Sequence, residues 1–181
     1  MKATDFAREL HRYFRFHLQN DRGCSPQTLY SYQQAFSQFL MYMDEEKGIK
    51  PEKLQMKHFS MVNVNGFLNW LEDTHHCSVS TRNHRLAVIR SFASFLKYDC
   101  PSHLEDCAQI LSIKFKKDVQ GKIVYLKPEG IKLILDQTDR TTPAGRRDFL
   151  MISLFFSVGL RVSEIIGLRA RDISFNTPKT I

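Results

Sequence analysis

The sequence predicts a mainly α protein: a four-helix domain followed by the opening elements of a second domain. Three observations predict it. Apolar residues recur at helical spacing in four stretches of the first hundred residues, a basic stretch without helical period follows, and helical patterns then resume. A hydrophobic fraction of 43% with 14 phenylalanines is enough for a real core and excludes a disordered tail.

Phe6, Leu10, Tyr13, Phe14 and His17 fall at i, i+4, i+7, i+8 and i+11, one face of a first helix. Ser25-Pro26 then supplies an N-cap and a proline at the first helical position. Behind it Leu29, Tyr32, Phe36, Phe39, Leu40 and Met43 line a long stripe that stops near Gly48. A third helix is expected over 61–74, burying Val64, Phe67, Leu68 and Leu71. A fourth opens at Ser78 or Ser80 and runs to about Tyr98, with Leu86, Ile89, Phe92, Ala93 and Leu96 inward, until Pro101 ends it. These elements define a first domain over 1–102.

Residues 103–122 read as an extended basic linker, because Ser112-Ile113-Lys114-Phe115-Lys116-Lys117-Asp118 has no helical period and Gly121 follows. The second domain, 123–181, begins with a helix over 128–137 and a polar turn holding Pro143 and Gly145. An apolar helix over 147–158, a tight turn at Gly159, a short helix to Leu168 and a strand from Asp172 complete it.

The formal charge is +7 and the isoelectric point about 9.3. The excess is +3 up to Ser102 (13 Lys+Arg against 10 Asp+Glu) and +4 after it (13 against 9). A basic excess spread over both halves suits a protein that touches a polyanion along its length, and equally an ordinary basic protein. Cys24, Cys77, Cys100 and Cys107 show no CxxC spacing, and no signal peptide opens the chain, so reduced thiols in a cytoplasmic protein are expected. His75-His76-Cys77 with His84 invites a zinc reading, but adjacent ligands at a helix end rarely converge on one metal. The longest apolar run, 150–160, is about half the ~20 residues that a membrane span needs.

The strongest local signal is Phe156-Ser157-Val158-Gly159-Leu160-Arg161-Val162-Ser163-Glu164-Ile165-Ile166-Gly167-Leu168, followed by Arg169-Ala170-Arg171-Asp172-Ile173. Gly159 stands where a helix ends and can take the left-handed conformation. The next helix starts almost at once, so Arg161 is held at a sharp corner. There its planar fork of donors can grip a phosphate at any working pH. Glu164, three residues on, shares the helix face and can hold the guanidinium. A plain surface ion pair after a helix turn is the alternative reading of the same two residues.

This stretch resembles the first arginine motif of the tyrosine recombinases, the phage integrase family. Leu126-Lys127-Pro128-Glu129-Gly130-Ile131, with Ile134 and Leu135, resembles the helix that opens the family's catalytic domain, and Arg147-Asp148 the start of the helix leading to the arginine. Ser25-Pro26-Gln27-Thr28-Leu29-Tyr30-Ser31-Tyr32 resembles the second helix of the family's core-binding domain. Ser80-Thr81-Arg82-Asn83-His84-Arg85-Leu86-Ala87-Val88-Ile89-Arg90-Ser91-Phe92 resembles its fourth. The match spans roughly residues 4 to 175 in the family's order.

The resemblance implies a SAM-like core-binding domain followed by the first helices and first strand of an α+β catalytic domain. It implies site-specific recombination or integration, by a mobile-element integrase, a transposase or a Xer-type recombinase, through a 3′-phosphotyrosyl intermediate that needs neither metal nor nucleotide cofactor. Arg161 would be the first catalytic arginine, stabilising charge on the scissile phosphate, and Glu164 its support. Partners would be double-stranded DNA and further protomers in a tetrameric synapse, with no membrane. The sequence departs from the pattern in two ways. Lys127 stands where a capping Thr or Ser is usual. The family's hairpin lysine, His-x-x-Arg motif, later His or Trp, and nucleophilic tyrosine fall beyond Ile181, and none of Tyr13, Tyr30, Tyr32, Tyr42, Tyr98 or Tyr125 is in the nucleophile's place. The 181 residues are therefore expected to be inactive alone, either as part of an enzyme or as a non-catalytic module that occupies recombination sites or regulates the full-length enzyme.

For DNA contact, Asn83, Arg90, Ser94 and Lys97 form a narrow arc opposite the apolar seam of the fourth helix, with Ser91 nearby and Arg82 and Arg85 in its first turn. The resemblance sets the second and fourth helices against the major groove, where Gln27, Tyr30, Ser31, Gln34 and Gln38 would suit close approach. Lys114, Lys116 and Lys117 would follow the backbone as a strap closing a clamp around the duplex. A solvated face remains the alternative for each of these residues.

Overall fold

The first four α-helices open on short polar side chains at the positions where the first backbone N–H groups lack partners. In the computed structural model, which describes residues 3–99, 101–118 and 125–172, Thr4 accepts from the Ala7 N–H to open α1 (Asp5–Arg12). Ser25 accepts from Thr28 ahead of Pro26 to open α2 (Pro26–Glu45). Ser60 caps α3 (Met61–Asp73) and Ser78 caps α4 (Val79–Asp99). Gly48, at φ 63°, ends the second of these: its N–H and that of Ile49 close on the carbonyls of Asp44 and Met43.

The first helix does not remain an α-helix. From Tyr13 to Asp21 it winds as a π-helix, with hydrogen bonds reaching five residues rather than four. Tyr13 and Leu18, five apart, are both fully buried, whereas His17, expected on the inward face, is half-buried, stacked on Tyr13 and tilted against Phe95. The wider turn brings residues five apart onto one face, and the core takes the leucine.

Phe92 of α4 is the centre of the core. Its ring meets Phe6 at 5.9 Å, Tyr13 at 5.1 Å, Phe36 at 5.3 Å and Phe59 at 5.2 Å, most of them edge to face. The Tyr13 hydroxyl reaches Ser91 Oγ at 2.8 Å, and burial holds that phenol well above its ordinary range. The stripes expected on α3 and α4 are buried: Val64, Phe67, Leu68 and Leu71, and Leu86, Ile89, Phe92, Ala93 and Leu96.

The expected linker over 103–122 is corrected in its first half. After a turn at Pro101–His103 comes a fifth helix, α5 (Leu104–Ser112), which packs Cys107 and Ile110 into the same core. Its two inward residues, three apart, are one helical turn, too short a pattern to separate from an extended stretch. Residues 113–118 have no regular secondary structure. The chain divides into two units, 1–120 and 121–181; Gly121 and the boundary expected at 122 lie outside the described residues, as does Cys100.

The second unit contains α6 (Pro128–Asp136), α7 (Pro143–Val158) and α8 (Val162–Gly167). Pro143 and Gly145, expected in a turn, form the first turn of α7, because Thr142 accepts from the Gly145 N–H and Pro143 sits at the first helical position. Arg140 lies over the Phe149 ring at 3.7 Å. Asp172 closes a turn, Ala170–Asp172, and the strand expected beyond it lies outside the described residues. Among the described residues there is no strand, and no helix is long and apolar enough to cross a membrane.

Two substitutions test the core. Phe92→Ala should cost about 3–5 kcal/mol of unfolding free energy, as removal of a central aromatic does. Tyr13→Phe should cost about 1 kcal/mol, because it leaves the Ser91 hydroxyl without its partner. Urea titration followed by circular dichroism measures both, and equal losses would show that Phe92 is not the centre.

Candidate nucleic-acid interface and phosphate-binding corner

With its apolar stripe buried, α4 presents polar groups on two sides. Toward α2, Ser31, Ser80, Thr81, His84 and Arg85 line an open cleft of about 340 Å³. Arg85 Nε donates to Gln38 Oε1 at 2.7 Å, and Ser31 Oγ lies 3.3 Å from His84 Nε2. Burial pushes the Arg85 guanidinium below its ordinary value, yet an arginine stays charged in a protein. The cleft thus offers one fixed cation, an imidazole and three hydroxyls at the α2–α4 seam. Gln27 and Tyr30 are exposed beside it, and Ser31 and Gln34 are half-buried.

On the other side, residues 113–117 lie back along α4. Arg90 Nη1 donates to the Ile113 carbonyl at 3.4 Å and its guanidinium covers the Phe115 ring at 5.0 Å. Asn83 makes a two-way pair with Lys116: its Nδ2 donates to the Lys116 carbonyl at 2.7 Å, and its Oδ1 accepts the Lys116 N–H at 3.0 Å. Lys116 Nζ reaches Glu72 Oε2 at 2.7 Å. Lys114, Lys117 and Lys97 are exposed, as is Ser94, while Ser91 is half-buried under Tyr13.

Arg82 is not a surface residue. It is 6% exposed, its Nε lies 3.8 Å from Glu72 Oε2, and its Nη1 donates to Asn83 Oδ1 and to the Lys114 carbonyl. The expectation that it faces DNA is corrected by its register: it precedes Leu86, Ile89 and Ala93 by four, seven and eleven residues, which puts it on the inward stripe. Glu72, which sequence reasoning passed over, is the residue that ties Arg82 and Lys116 together. Its partners stand 10 and 44 residues away in sequence, so no local pattern signals it.

In the second unit, Gly159 takes φ 69°, ψ 28°, and its N–H closes on the Phe155 carbonyl, ending α7 in the left-handed turn. Two residues later Arg161, in extended backbone, starts α8. Glu164 holds it twice: Oε2 accepts the Arg161 N–H at 2.7 Å, and Oε1 accepts from the guanidinium Nη1 at 3.0 Å. The arginine side chain is nevertheless 83% exposed. The corner therefore displays a guanidinium restrained at one edge, with its remaining donors facing outward. Lys127, at the start of α6, contributes no side-chain cap. Of the residues considered for zinc, His75 packs against Trp70 at 4.2 Å and His84 lines the α2–α4 cleft. No cluster of three or more His, Cys, Asp or Glu among the described residues is placed to hold a metal.

A helical domain with a polar seam on two helices, followed by a unit that displays a restrained arginine, has counterparts among known proteins. Residues 10–99 match the model of the phage integrase N-terminal SAM-like domain. The integrase/recombinase y4rC of Sinorhizobium fredii is 31% identical over 97% of the chain and 53% of its own length. Tyrosine recombinase XerC of Myxococcus xanthus is 31% identical over 88% of the chain and 50% of its length. Tyrosine recombinase XerD of Listeria monocytogenes is 28% identical over 84% and 49%. No solved structure matches. The chain belongs to the tyrosine recombinase family, and it spans about half the length of the curated relatives it matches.

The corner makes a local prediction. Arg161→Ala should leave the unfolding free energy of residues 1–181 within about 0.5 kcal/mol, the range of surface changes that remove no packing. Glu164→Ala should cost about 1 kcal/mol, the size of a lost helix cap. Paired thermal melts decide it, and the reverse order would make Arg161 a structural residue.

Proposed function

We propose that residues 1–181 hold double-stranded DNA and deliver Arg161 to the scissile phosphate of a tyrosine recombinase, which carries out site-specific recombination or integration with further protomers assembled on the DNA. The observation that carries this reading is the corner at Gly159-Leu160-Arg161. Glu164 fixes the backbone N–H and one edge of the guanidinium while the side chain stays 83% exposed.

That arrangement suits one task well. When a tyrosine oxygen attacks a phosphodiester, the P–O bond to the 5′ oxygen breaks, and negative charge builds on the non-bridging oxygens. A planar cation already oriented stabilises that charge without having to reorganise as the reaction proceeds. Paired N–H donors match two oxygens of a phosphate, which a lysine cannot do. Glu164 acts by keeping the guanidinium from swinging away. The nucleophile comes from a segment other than residues 1–181, in which no tyrosine stands at the family's position.

The first unit supplies the grip. The α2–α4 cleft, with Arg85, His84, Ser31, Ser80 and Thr81, faces the groove of the duplex, and Lys97, Lys114 and Lys117 meet backbone phosphates. Asn83 and Arg90 serve by fixing the path of residues 113–117. Phosphate contacts position a protein without reading sequence, so discrimination between sites rests on the cleft.

Two measurements test this. Binding of residues 1–181 to a duplex should weaken steeply and linearly on a log–log plot against salt, with a slope of about 0.9 per phosphate neutralised. A flat response would remove the DNA grip. In a chain that continues to the family's tyrosine, Arg161→Ala should lower covalent protein–DNA adduct formation on a nicked suicide substrate by about a hundredfold or more, with gel-shift affinity nearly unchanged. Arg161→Lys should fail almost as badly, and an alanine variant that forms adduct at the parental rate would overturn the assignment.

A further inference from the structure

Three cationic residues of the strap, Lys114, Lys116 and Lys117, look equivalent in sequence, but the fold treats them differently. Lys116 alone is engaged by both its backbone and its side chain. Asn83 closes on its N–H and carbonyl, and Glu72 Oε2 takes its ammonium at 2.7 Å. The same carboxylate oxygen faces the buried Arg82 guanidinium at 3.8 Å, and Arg82 in turn donates to the Lys114 carbonyl and to Asn83 Oδ1. Arg82 Nε is buried and has no hydrogen-bond partner of its own. One carboxylate thus serves two cations, one inside the domain and one on the strap. Taking Glu72 away strands a buried charge, so its position is strongly held.

We propose that Glu72 and Asn83 form a latch that holds residues 113–117 on α4, and that Lys116 is reserved for this latch while Lys114 and Lys117 are the strap's phosphate-binding cations. Glu72 is a positioning residue: it meets no DNA and acts through Lys116 and Arg82. The division has an electrostatic reason. The Lys116 ammonium is tied to the Glu72 carboxylate at 2.7 Å, so meeting a phosphate means breaking that contact and leaving Glu72 facing the polyanion. Lys114 and Lys117, both exposed, carry no such penalty. The strap's direction is then set by the protein before DNA arrives, so its cations need not be ordered on binding. The latch stands on the geometry alone, whereas the assignment of Lys114 and Lys117 rests on the function proposed above.

Amide exchange tests the latch in DNA-free residues 1–181. The Lys116 N–H, held by Asn83, should exchange at least tenfold faster in Asn83→Ala, with the amides of Leu86 and Ile89 unchanged. Glu72→Gln should act in the same direction. It also strips Arg82 of its counter-charge, so the Asn83 variant decides the matter if that protein does not fold. Unchanged exchange at Lys116 in Asn83→Ala overturns the latch. Salt titration of duplex binding tests the division of labour. Lys114→Gln and Lys117→Gln should each make the slope shallower by about 0.9, whereas Lys116→Gln should leave it as in the parent. A Lys116→Gln slope as shallow as the others overturns the reservation. Absence of duplex binding by the parent at low salt would instead sink the proposed function and leave the exchange result standing.

Discussion

The first unit depends on the seat of one ring. Phe92 touches α1 through Phe6, the π-helical segment through Tyr13, α2 through Phe36 and the approach to α3 through Phe59. A helix can bury only one stripe, so fixing Phe92 fixes the rotation of α4 about its own axis. Everything polar on that helix follows. Arg85, two turns earlier on the same line, meets Gln38 where α2 and α4 part. Asn83 and Arg90, on the far side, are left to receive the returning chain. The π-helical turns at Tyr13–Asp21 serve the same end, since they bring both Tyr13 and Leu18 into contact with the core.

Arg82 shows how a charge is accommodated inside such a packing. A buried guanidinium cannot shed its proton, so it has to be paired. Its partners come from three places: Glu72 on α3, Asn83 beside it, and a carbonyl of the strap. The strap is thereby part of the solution to a problem set inside the domain. This is why a segment that reads as a free basic linker follows the surface of α4 in a defined path.

The second unit is organised by a different principle. Among its described residues only Ile165 is buried, and Leu133, Leu150, Phe156, Val162 and Ile166 are exposed. What orders these helices locally is capping: Thr142 at the head of α7, the left-handed Gly159 at its end, and Glu164 reaching back to Arg161. Such contacts span three or four residues. The display of Arg161 is therefore a short-range property, set by the glycine and by the carboxylate one turn on.

That difference in range explains what could be read in the amino-acid sequence. The apolar stripes of α2, α3 and α4, the cap at Ser25, the turn at Gly159 and the pairing of Arg161 with Glu164 all arise within a turn or two, and the sequence by itself determined them. For the start of α4 the sequence allows Ser78 or Ser80, and the structure places the cap at Ser78. The capped start of α7 was equally local, but Pro143 and Gly145 carry turn signals as strong as their helix-start signals. Tertiary structure alone decided the rest. Helix α5 is too short for its period to stand out, and packing on α3 and α4 makes it a helix. The π-helical winding follows from the core's demand for Leu18. The inward turn of Arg82 was encoded in its register, yet nothing nearby names Glu72 as its partner. Which lysine of the strap is tied to a carboxylate depends on a residue more than forty positions away. Contacts of that range carry no periodicity, so they exist only once the helices have packed.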